Sequence, residues 1–457
     1  MPEPGATGNR SIIHRNADSK GRALSPGRAH APPPWLQAVP PLTTKLSFPA
    51  QIRRCQVLNL ATRVEKIPMK QSEILQSIPF PLSVMKTFLA SLILAAGLLC
   101  PCAQAQQSDA ARKAFLSDKA KAEQGNAASQ FQLGRYYYQG EGVAKDYAEA
   151  MKWFRKAAEQ GDDSAQAILG ASYHDGIGVT KNYTEATNWY RKAAEQGNIN
   201  AQFALGDSYY MGEGVERNDG EAVKWTRKAA EQGNANAQYN LGHSYYEGEG
   251  VAKNYGEAVK WFRKAIEQRI PAAQFSLGVC YYRGEGVEKN YTEAANWFRK
   301  AAEQGNASAQ FYLGGQYHRG EGVEKNYAEA VNWYRKAAEQ GNAAGQGGLG
   351  VCYSKGEGVE KNYAEAVKWF RKAAEQGDAV GETGLGSCHF LGEGVPKVDY
   401  VESYAWFDLA AKTDNDAAGK ARSALGRLMS PQQIADAQKR TKELREEIAA
   451  KLKRAGK

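Results

Sequence analysis

The cysteines after residue 105 are the most reactive side chains in the sequence, yet their spacing argues against chemistry. Cys280, Cys352 and Cys388 each lie two residues after the glycine of a recurring Leu-Gly pair, at multiples of 36 residues. Equivalent positions on neighbouring packed helices are on the order of 10 Å apart, whereas a disulfide requires Cα atoms within about 7 Å. We therefore predict three small buried side chains and no disulfide between them.

The histidines in the same part of the chain have no metal-binding spacing, either with one another or with the cysteines; they are His174, His243, His318 and His389. No G-x-S-x-G, H-E-x-x-H or P-loop motif occurs, and the part of the chain after residue 105 lacks the S-x-x-K and K-T-G motifs of β-lactam hydrolases. The sequence thus predicts no catalytic residue, no cofactor and no metal.

Tryptophan and tyrosine recur in stripes that would suit a glycan-binding platform. The tryptophans recur every 36 residues from Trp153 to Trp369, and an eighth, Trp406, falls one residue late. They lie on the apolar face of a predicted helix with alanine neighbours, which favours a place in the core. Binding of peptidoglycan or another envelope glycan is the alternative function.

These residues belong to a repeat of 36 residues that fills most of the chain. The word Glu-Gln-Gly recurs in strict register, with its last position at residues 125, 161, 197, 233, 269, 305, 341 and 377. Self-similarity at such a period is the signature of a stacked repeat protein, because a single repeat cannot bury its own apolar face.

Each repeat reads as two helices. Asp146 and Glu149 have the spacing of a capping box at the start of the second helix, and Gly161 stops that helix. The first helix opens at Asn126 and contains Gly134, where glycine costs about 1 kcal/mol relative to alanine. We expect this glycine to permit a close helix contact. Where the fourth repeat ends, Arg269 replaces the usual glycine, and a different turn is expected there.

The pattern A-x-x-x-L-G-x-x-Y-x-x-G-x-G-V, then N/D-Y-x-x-A-x-x-W and A-A-x-x-G, resembles the Sel-one-like repeat (SLR) family, relatives of tetratricopeptide repeats. The resemblance implies an all-α fold, a right-handed α/α superhelical solenoid of eight helix-turn-helix repeats with helical caps. The predicted boundaries are an N-terminal capping helix at 106–124, eight repeats at 125–412 and C-terminal capping helices at 413–457.

The first 105 residues have a different character. Residues 1–84 lack the repeat words and are expected to be disordered or a mispredicted extension. Residues 85–105, from Met85 to Ala105, combine a basic start, a short apolar run and an Ala-Gln-Ala end, which predicts a secretory signal peptide and a periplasmic or secreted protein. Without residues 1–105 the net charge falls from +9 to about +1, so nucleic acid is not expected as a partner. An integral membrane protein is not expected either.

A partner surface is predicted from positions that vary between repeats while sharing one face of the first helix. In tetratricopeptide-like stacks this helix lines the concave surface, and the resemblance implies the same here. The last variable position is acidic at Asp175 and Glu247 and basic at Arg283, Arg319 and Lys355. This change of sign suggests a groove whose C-terminal half accepts an acidic segment of a partner protein. The candidate residues are Tyr312, Arg283, Arg319, Lys355, Gln316, Asn240 and Glu247.

The sequence therefore predicts an exported, non-catalytic protein–protein interaction scaffold or adaptor that binds a partner segment in its concave groove. Glycan binding is the alternative, and β-lactam hydrolysis ranks third because no nucleophile is available. The identity of the partner and the oligomeric state are left open.

Overall fold

The computed structural model describes residues 101–412 and 416–454, with side chains from residue 109 onward. Predictions about residues 1–84 and most of the signal peptide fall outside these ranges. Within them the chain contains nineteen α-helices and no strand. The residues group into two compact units, one of 101–208 with 213–216 and one of 209–212 with 217–412 and 416–454.

The helices are numbered here in chain order. They are α1 Pro101–Glu123, α2 Ala127–Gln139, α3 Tyr147–Glu159, α4 Asp163–Asp175, α5 Tyr183–Glu195, α6 Ile199–Met211, α7 Asp219–Glu231, α8 Ala235–Glu247, α9 Tyr255–Glu267, α10 Pro271–Arg283, α11 Tyr291–Glu303, α12 Ala307–Arg319, α13 Tyr327–Glu339, α14 Ala343–Lys355, α15 Tyr363–Ala374, α16 Ala379–Leu391, α17 Tyr400–Ala411, α18 Asp416–Gly426 and α19 Pro431–Arg454.

Helices α2 to α17 form eight pairs, in which the even-numbered member is the A helix of a repeat and the odd-numbered member is its B helix. Consecutive helices pack against one another from α1 to α5 in the first unit and from α7 to α17 in the second. The predicted all-α fold of eight helix-turn-helix repeats, an α/α solenoid, is confirmed. The right-handed sense of the superhelix stays a prediction.

The helix starts follow the predicted capping residues, with one correction. The Asp146 side chain accepts a hydrogen bond from the Glu149 backbone N–H at 2.9 Å, as expected for an N-cap. The Asp146 N–H, however, donates to the Tyr137 carbonyl at 2.9 Å, and the Glu149 carboxylate accepts from Lys152 and Trp153. The predicted capping box is therefore only half formed, because the preceding A helix already satisfies the second N–H.

In seven of the eight repeats the mid-helix glycine lies against the aromatic residue that follows the tryptophan. A Cβ atom added to Gly278 would lie 2.7 Å from the Phe298 ring, and one added to Gly314 would lie 2.8 Å from the Tyr334 ring. Both distances are too short for van der Waals contact. The predicted close contact is confirmed, with the ring beside the tryptophan rather than the tryptophan itself as the partner.

The joint between α9 and α10 differs from the prediction. Arg269 adopts a φ of 62° and its N–H donates to the Ile266 carbonyl at 2.8 Å, the same turn bond that Gly161 makes to Ala158. The expected different turn is thus wrong, since arginine is held in the conformation that glycine takes elsewhere. The difference at this joint lies in the N-cap of α10, because Ile270 supplies no side-chain hydrogen bond to that helix.

Helices at both ends pack on the repeats next to them. Phe115 and Ala122 of α1 are buried in a cluster with Leu133 of the first repeat, and α1 begins at Pro101, within the last five residues of the predicted signal peptide. At the other end, α18 and α19 pack against α17, and Leu444 of α19 joins the core of the last repeat.

Candidate partner-binding surface

Four of the seven predicted site residues occupy one edge of the second unit. Glu247, Arg283, Arg319 and Lys355 are the last residues of α8, α10, α12 and α14. Each of these helices ends at a glycine in the left-handed conformation, which holds the final side chain in the same place in every repeat. We call this row the A-helix edge.

Arg283 is engaged within the protein. Its Nη1 donates to the Tyr246 hydroxyl at 2.9 Å and lies 3.9 Å from the Glu285 carboxylate, while Tyr246 donates to the same carboxylate. Burial, and to a smaller extent the hydrogen bond to Glu285, raises the pKa of Tyr246. This hydroxyl therefore stays protonated and bridges Arg283 and Glu285. The side chain of Arg283 is only 18% exposed.

Arg319 repeats this arrangement one repeat later. Its Nη2 donates to the Tyr282 hydroxyl at 3.1 Å, its Nε lies 2.9 Å from Glu321, and Tyr282 donates to Glu321 at 3.1 Å. Burial raises the pKa of Tyr282 to about 12. Each arginine thus faces a carboxylate of its own, which corrects the expectation that both offer uncompensated positive charge to an acidic segment.

Lys355 and Glu247 differ from the two arginines. Both side chains are exposed, and neither forms an ion pair with another residue in the described part of the chain. They are the charges of the A-helix edge that remain available to a partner.

Gln316 is not a surface residue. Its side chain is fully buried, and its Nε2 donates to the Tyr291 carbonyl at 2.9 Å, at the start of α11. Cys280 and Cys352, at the same repeat position, are also completely buried. Variation at this position therefore reflects core packing between repeats, and we remove Gln316 from the candidate surface.

Tyr312 and Asn240 are half-buried. The Tyr312 ring packs against Phe298 at 5.1 Å and Phe275 at 5.6 Å, measured between ring centroids. A ring held on one side in this way needs little further ordering to bind an apolar group. Tyr312 therefore remains a candidate contact, although most of its packing energy already serves the fold.

Two features of the edge were missed by sequence reasoning. The first is an edge ladder, in which a tyrosine or histidine one residue before the A-helix end pairs with a glutamate 39 residues later; its pairs are His174 with Glu213, Tyr210 with Glu249, Tyr246 with Glu285, Tyr282 with Glu321 and His318 with Glu357. A search for polar pairs separated by one repeat plus three residues would have found it.

The second missed feature is an apolar end to the A-helix edge. In the last repeat, Phe390 stands at the ladder position and Leu391 at the edge position, with 37% and 57% of their surfaces exposed. Val398, 48% exposed, lies in the loop that follows. Ser354, one repeat earlier, is too short for the ladder, so Glu393 has no tyrosine or histidine partner.

The tryptophans do not form an open platform. Trp153, Trp189, Trp225 and Trp261 are buried, with at most 8% of their surfaces exposed, whereas Trp297, Trp333 and Trp369 are half-buried. A lysine three residues later lies over the ring in each case, for example Lys264 at 4.1 Å from Trp261. The ring faces that a sugar would need are therefore occupied.

The cysteines are buried and unpaired, as predicted. Burial raises the pKa of Cys280 and of Cys352 to about 12, and that of Cys388 to about 11. A thiol with so high a pKa is rarely ionised and makes a poor nucleophile or metal ligand.

The described residues include no helix that is both long and apolar enough to span a bilayer. They also contain no group of three or more histidine, cysteine, aspartate or glutamate side chains placed to hold a metal ion.

Comparison with known proteins identifies the repeat. The Sel1 repeat model matches eight consecutive segments, 127–162, 163–198, 199–234, 235–269, 271–306, 307–342, 343–378 and 379–415. No curated protein matches the chain.

Two similar solved structures come from bacteria. The first is c5321, a protective antigen of uropathogenic Escherichia coli with an SLR fold, which is 36% identical, covers 75% of this chain and 82% of its own, and has a TM-score of 0.55. The second is a Sel1 repeat protein from Oxalobacter formigenes, which is 34% identical, covers 68% of this chain and 89% of its own, and has a TM-score of 0.53. The eight matched segments coincide with the eight helix pairs, and the chain belongs to the Sel1 repeat family.

Proposed function

We propose that this protein is an exported, non-catalytic scaffold that binds a segment of a partner protein along the A-helix edge of its second unit. Repeat folds of this class generally serve protein–protein interaction. The observation that carries the proposal is the A-helix edge itself, where a constant framework presents a side chain whose type varies along the stack. The series runs Met211, Glu247, Arg283, Arg319, Lys355 and Leu391.

The chemistry of the edge narrows the kind of segment that fits. Arg283 and Arg319 are balanced by glutamates, so the attraction for an acidic group centres on Lys355. Leu391, one repeat further on, adds an exposed apolar contact. A segment with a carboxylate followed by an apolar side chain matches this order, because charge steers association and buried apolar area supplies affinity.

Glycan binding has less support. Its aromatic platform would have to be the tryptophan stripe from Trp153 to Trp369, and those rings are buried or half-buried with a lysine lying over each. The protein-scaffold proposal needs no such rearrangement.

The test compares single-residue variants of the whole chain in crosslinking capture from cell envelopes of the native source. Lys355→Glu and Leu391→Ser should each lose a partner that the unchanged protein captures. Lys442→Glu, which alters an exposed lysine on α19, should retain it. Arg283 and Arg319 are left unchanged because they join neighbouring repeats, so reversing their charge would disturb folding as well as binding.

A captured protein then provides the direct measurement, the affinity of its purified segment for the three variants. An identical set of captured proteins for all variants would contradict the proposed surface. Recovery of wall fragments without protein, from every variant, would favour glycan binding instead.

Export is a separate part of the proposal and has its own test. Cleavage after Ala105 predicts that the protein isolated from its native source begins at Gln106. N-terminal sequencing of that protein decides the point, and a peptide from residues 1–84 in its digest would contradict it.

A further inference from the structure

Each pair of the edge ladder is called a rung here. The rung at His174 differs from the others because its side chain contacts two carboxylates. At His174, the Nδ1 atom lies 2.7 Å from the Asp175 carboxylate and the Nε2 atom lies 3.0 Å from the Glu213 carboxylate. Asp175 ends α4, whereas Glu213 belongs to the loop that follows α6. A single imidazole ring thus connects two carboxylates from consecutive repeats within the first unit.

This geometry favours one protonation state. Neutral imidazole has one N–H donor and one acceptor nitrogen, so it satisfies only one carboxylate and presents a lone pair to the other. The imidazolium ion has two N–H donors and satisfies both with charge-assisted hydrogen bonds. Among the ladder rungs, the tyrosines reach a glutamate through one neutral hydroxyl, as Tyr210 does with Glu249 at 3.1 Å.

We propose that His174 is a proton-dependent clamp that holds the loop after α6 against the second repeat when it is charged and loosens that loop when it loses its proton. The inference does not rest on the proposed function. It assigns to this rung a regulatory response that the tyrosine rungs lack.

The charged groups around the ring support this assignment. Besides Asp175 and Glu213, Asp207 of α6 contributes negative charge to the same region, where it acts on Tyr190 together with those two carboxylates. Lys181 is the positive neighbour and lies over the Tyr183 ring at 4.5 Å.

The Tyr183 ring also meets His174 edge to face, with centroids 5.2 Å apart. The hydrogen bond to Asp175 raises the pKa of His174 most; burial opposes this rise, and Glu213 adds to it through its hydrogen bond and its charge.

The sign of the pH effect follows from this direction. A histidine whose pKa is higher in the folded protein than in the unfolded chain stabilises the fold fully below its unfolded pKa of about 6.5. That contribution is lost as the pH rises through the folded pKa. The clamp is therefore closed in mildly acidic surroundings and open above neutral pH.

The second histidine of the ladder is a natural comparison inside the same chain. His318 meets one carboxylate, Glu357, at 2.8 Å through Nε2, and the residue that follows it is Arg319 rather than an aspartate. With one carboxylate and a neighbouring guanidinium, His318 lacks the double acceptor that defines the clamp.

The test uses the ladder's own alternative residue. His174→Tyr places at this rung the side chain found at positions 210, 246 and 282, so the bond to Glu213 is retained while the titrating group is removed. The readout is amide exchange of Glu213, whose N–H donates to the Ser208 carbonyl at 3.0 Å. Exchange is corrected for the intrinsic effect of pH.

In the unchanged protein, exchange at Glu213 should slow about threefold to tenfold between about pH 8 and about pH 5.5, as expected for a charge-assisted bond to a partly exposed group. In the His174→Tyr variant, the corrected rate should be independent of pH over the same range. Equal pH dependence in both proteins would overturn the proposal.

A second measurement does not depend on any variant folding. Histidine-selective NMR titration of the unchanged full chain should show His174 titrating above the pKa of a histidine in an unfolded chain. Titration of His174 at or below the unfolded value would also overturn the proposal.

Discussion

Interior and terminal repeats of the second unit solve the same packing problem with different residues. In the sixth repeat, Gln310 donates to the Ala302 carbonyl of the preceding repeat at 3.0 Å and accepts from Gln340, which follows the B helix of its own repeat, at 2.7 Å. In the eighth repeat the equivalent residue is Glu382, which is 4% exposed and whose Oε2 has no hydrogen-bond partner. The amide serves an interior position because it both donates and accepts.

The terminal position has lost the neighbour that made the amide useful. Where Gln340 follows the B helix of the sixth repeat, the eighth repeat has Lys412, which pairs with Asp408 at 3.5 Å. The same repeat replaces the ladder residue with Phe390 and the edge residue with Leu391. Departures from the repeat therefore concentrate where stacking no longer requires agreement, and this is where a partner or a cap can be accommodated.

The largest effect is expected from breaking the interior packing. Phe298→Ala removes a fully buried ring that contacts Tyr312 and fits against Gly278. We expect a loss of about 3–5 kcal/mol in the free energy of unfolding, measured by denaturant titration.

The terminal counterpart, Phe407→Ala, provides the control. Phe407 is also buried and fits against Gly386, but its repeat has a repeat neighbour on one side only. Since each repeat of a stack contacts only its neighbours, amide exchange in this variant should accelerate mainly after residue 379. Equal acceleration throughout the second unit in both variants would remove the distinction between interior and terminal repeats.

An intermediate change in stability is expected when the terminal Glu382 is replaced by the glutamine that interior repeats have at this position. Burial raises the pKa of Glu382 to about 8, and the charge of the nearby Asp378 adds to the shift. A carboxyl whose pKa is raised in the folded state stabilises the fold below its unfolded pKa of about 4.3, and this stability is lost as the pH rises toward 8. Glu382→Gln should therefore increase the free energy of unfolding by about 2 kcal/mol at pH 8 and have little effect near pH 4.

The reciprocal variant tests the same argument from the interior. Gln310→Glu places a carboxyl opposite the Ala302 carbonyl, where only its protonated form can donate a hydrogen bond. It should destabilise the protein above neutral pH and do so less in acid. Stability of Glu382→Gln that follows the unchanged protein at every pH would show that Glu382 is ionised in the fold.

Much of this architecture was predictable because the eight copies of the repeat can be compared with one another within a single sequence. Helix starts at Asn and Asp, stops at Gly and the close contact at Gly134 all follow from local preferences that recur eight times. The environment of Gln316 did not follow, because the sequence shows that a position varies but not whether it faces solvent or the next repeat. The compensation of Arg283 by Glu285 depends on side-chain directions, which become visible only in three dimensions.

The smallest change in stability is expected at Arg269, which departs from the repeat sequence although it lies inside the stack. Arg269 has a φ of 62° at a position where other repeats carry glycine, and a left-handed conformation costs a non-glycine residue about 1–2 kcal/mol. Arg269→Gly relieves this strain but loses about 0.4–1 kcal/mol through the greater freedom of glycine in the unfolded chain. A net gain of about 0.5–1 kcal/mol is therefore expected in denaturant titration.

Gly305→Arg is the matched reciprocal at the next interior joint, where φ is 88° and a Cβ atom would meet nothing within 4 Å. Because no steric clash arises, this substitution measures the backbone cost alone. It should lower the free energy of unfolding by about 0.5–1 kcal/mol, since the strain of the left-handed conformation and the lower freedom of the unfolded chain act here with the opposite sign. If Arg269→Gly instead destabilises the protein while Gly305→Arg behaves as expected, the Arg269 side chain contributes an interaction that outweighs its strain. Residues that differ from the repeat sequence inside the stack would then have roles of their own, as those at its end do. The difference between interior and terminal repeats would in that case rest on core packing alone.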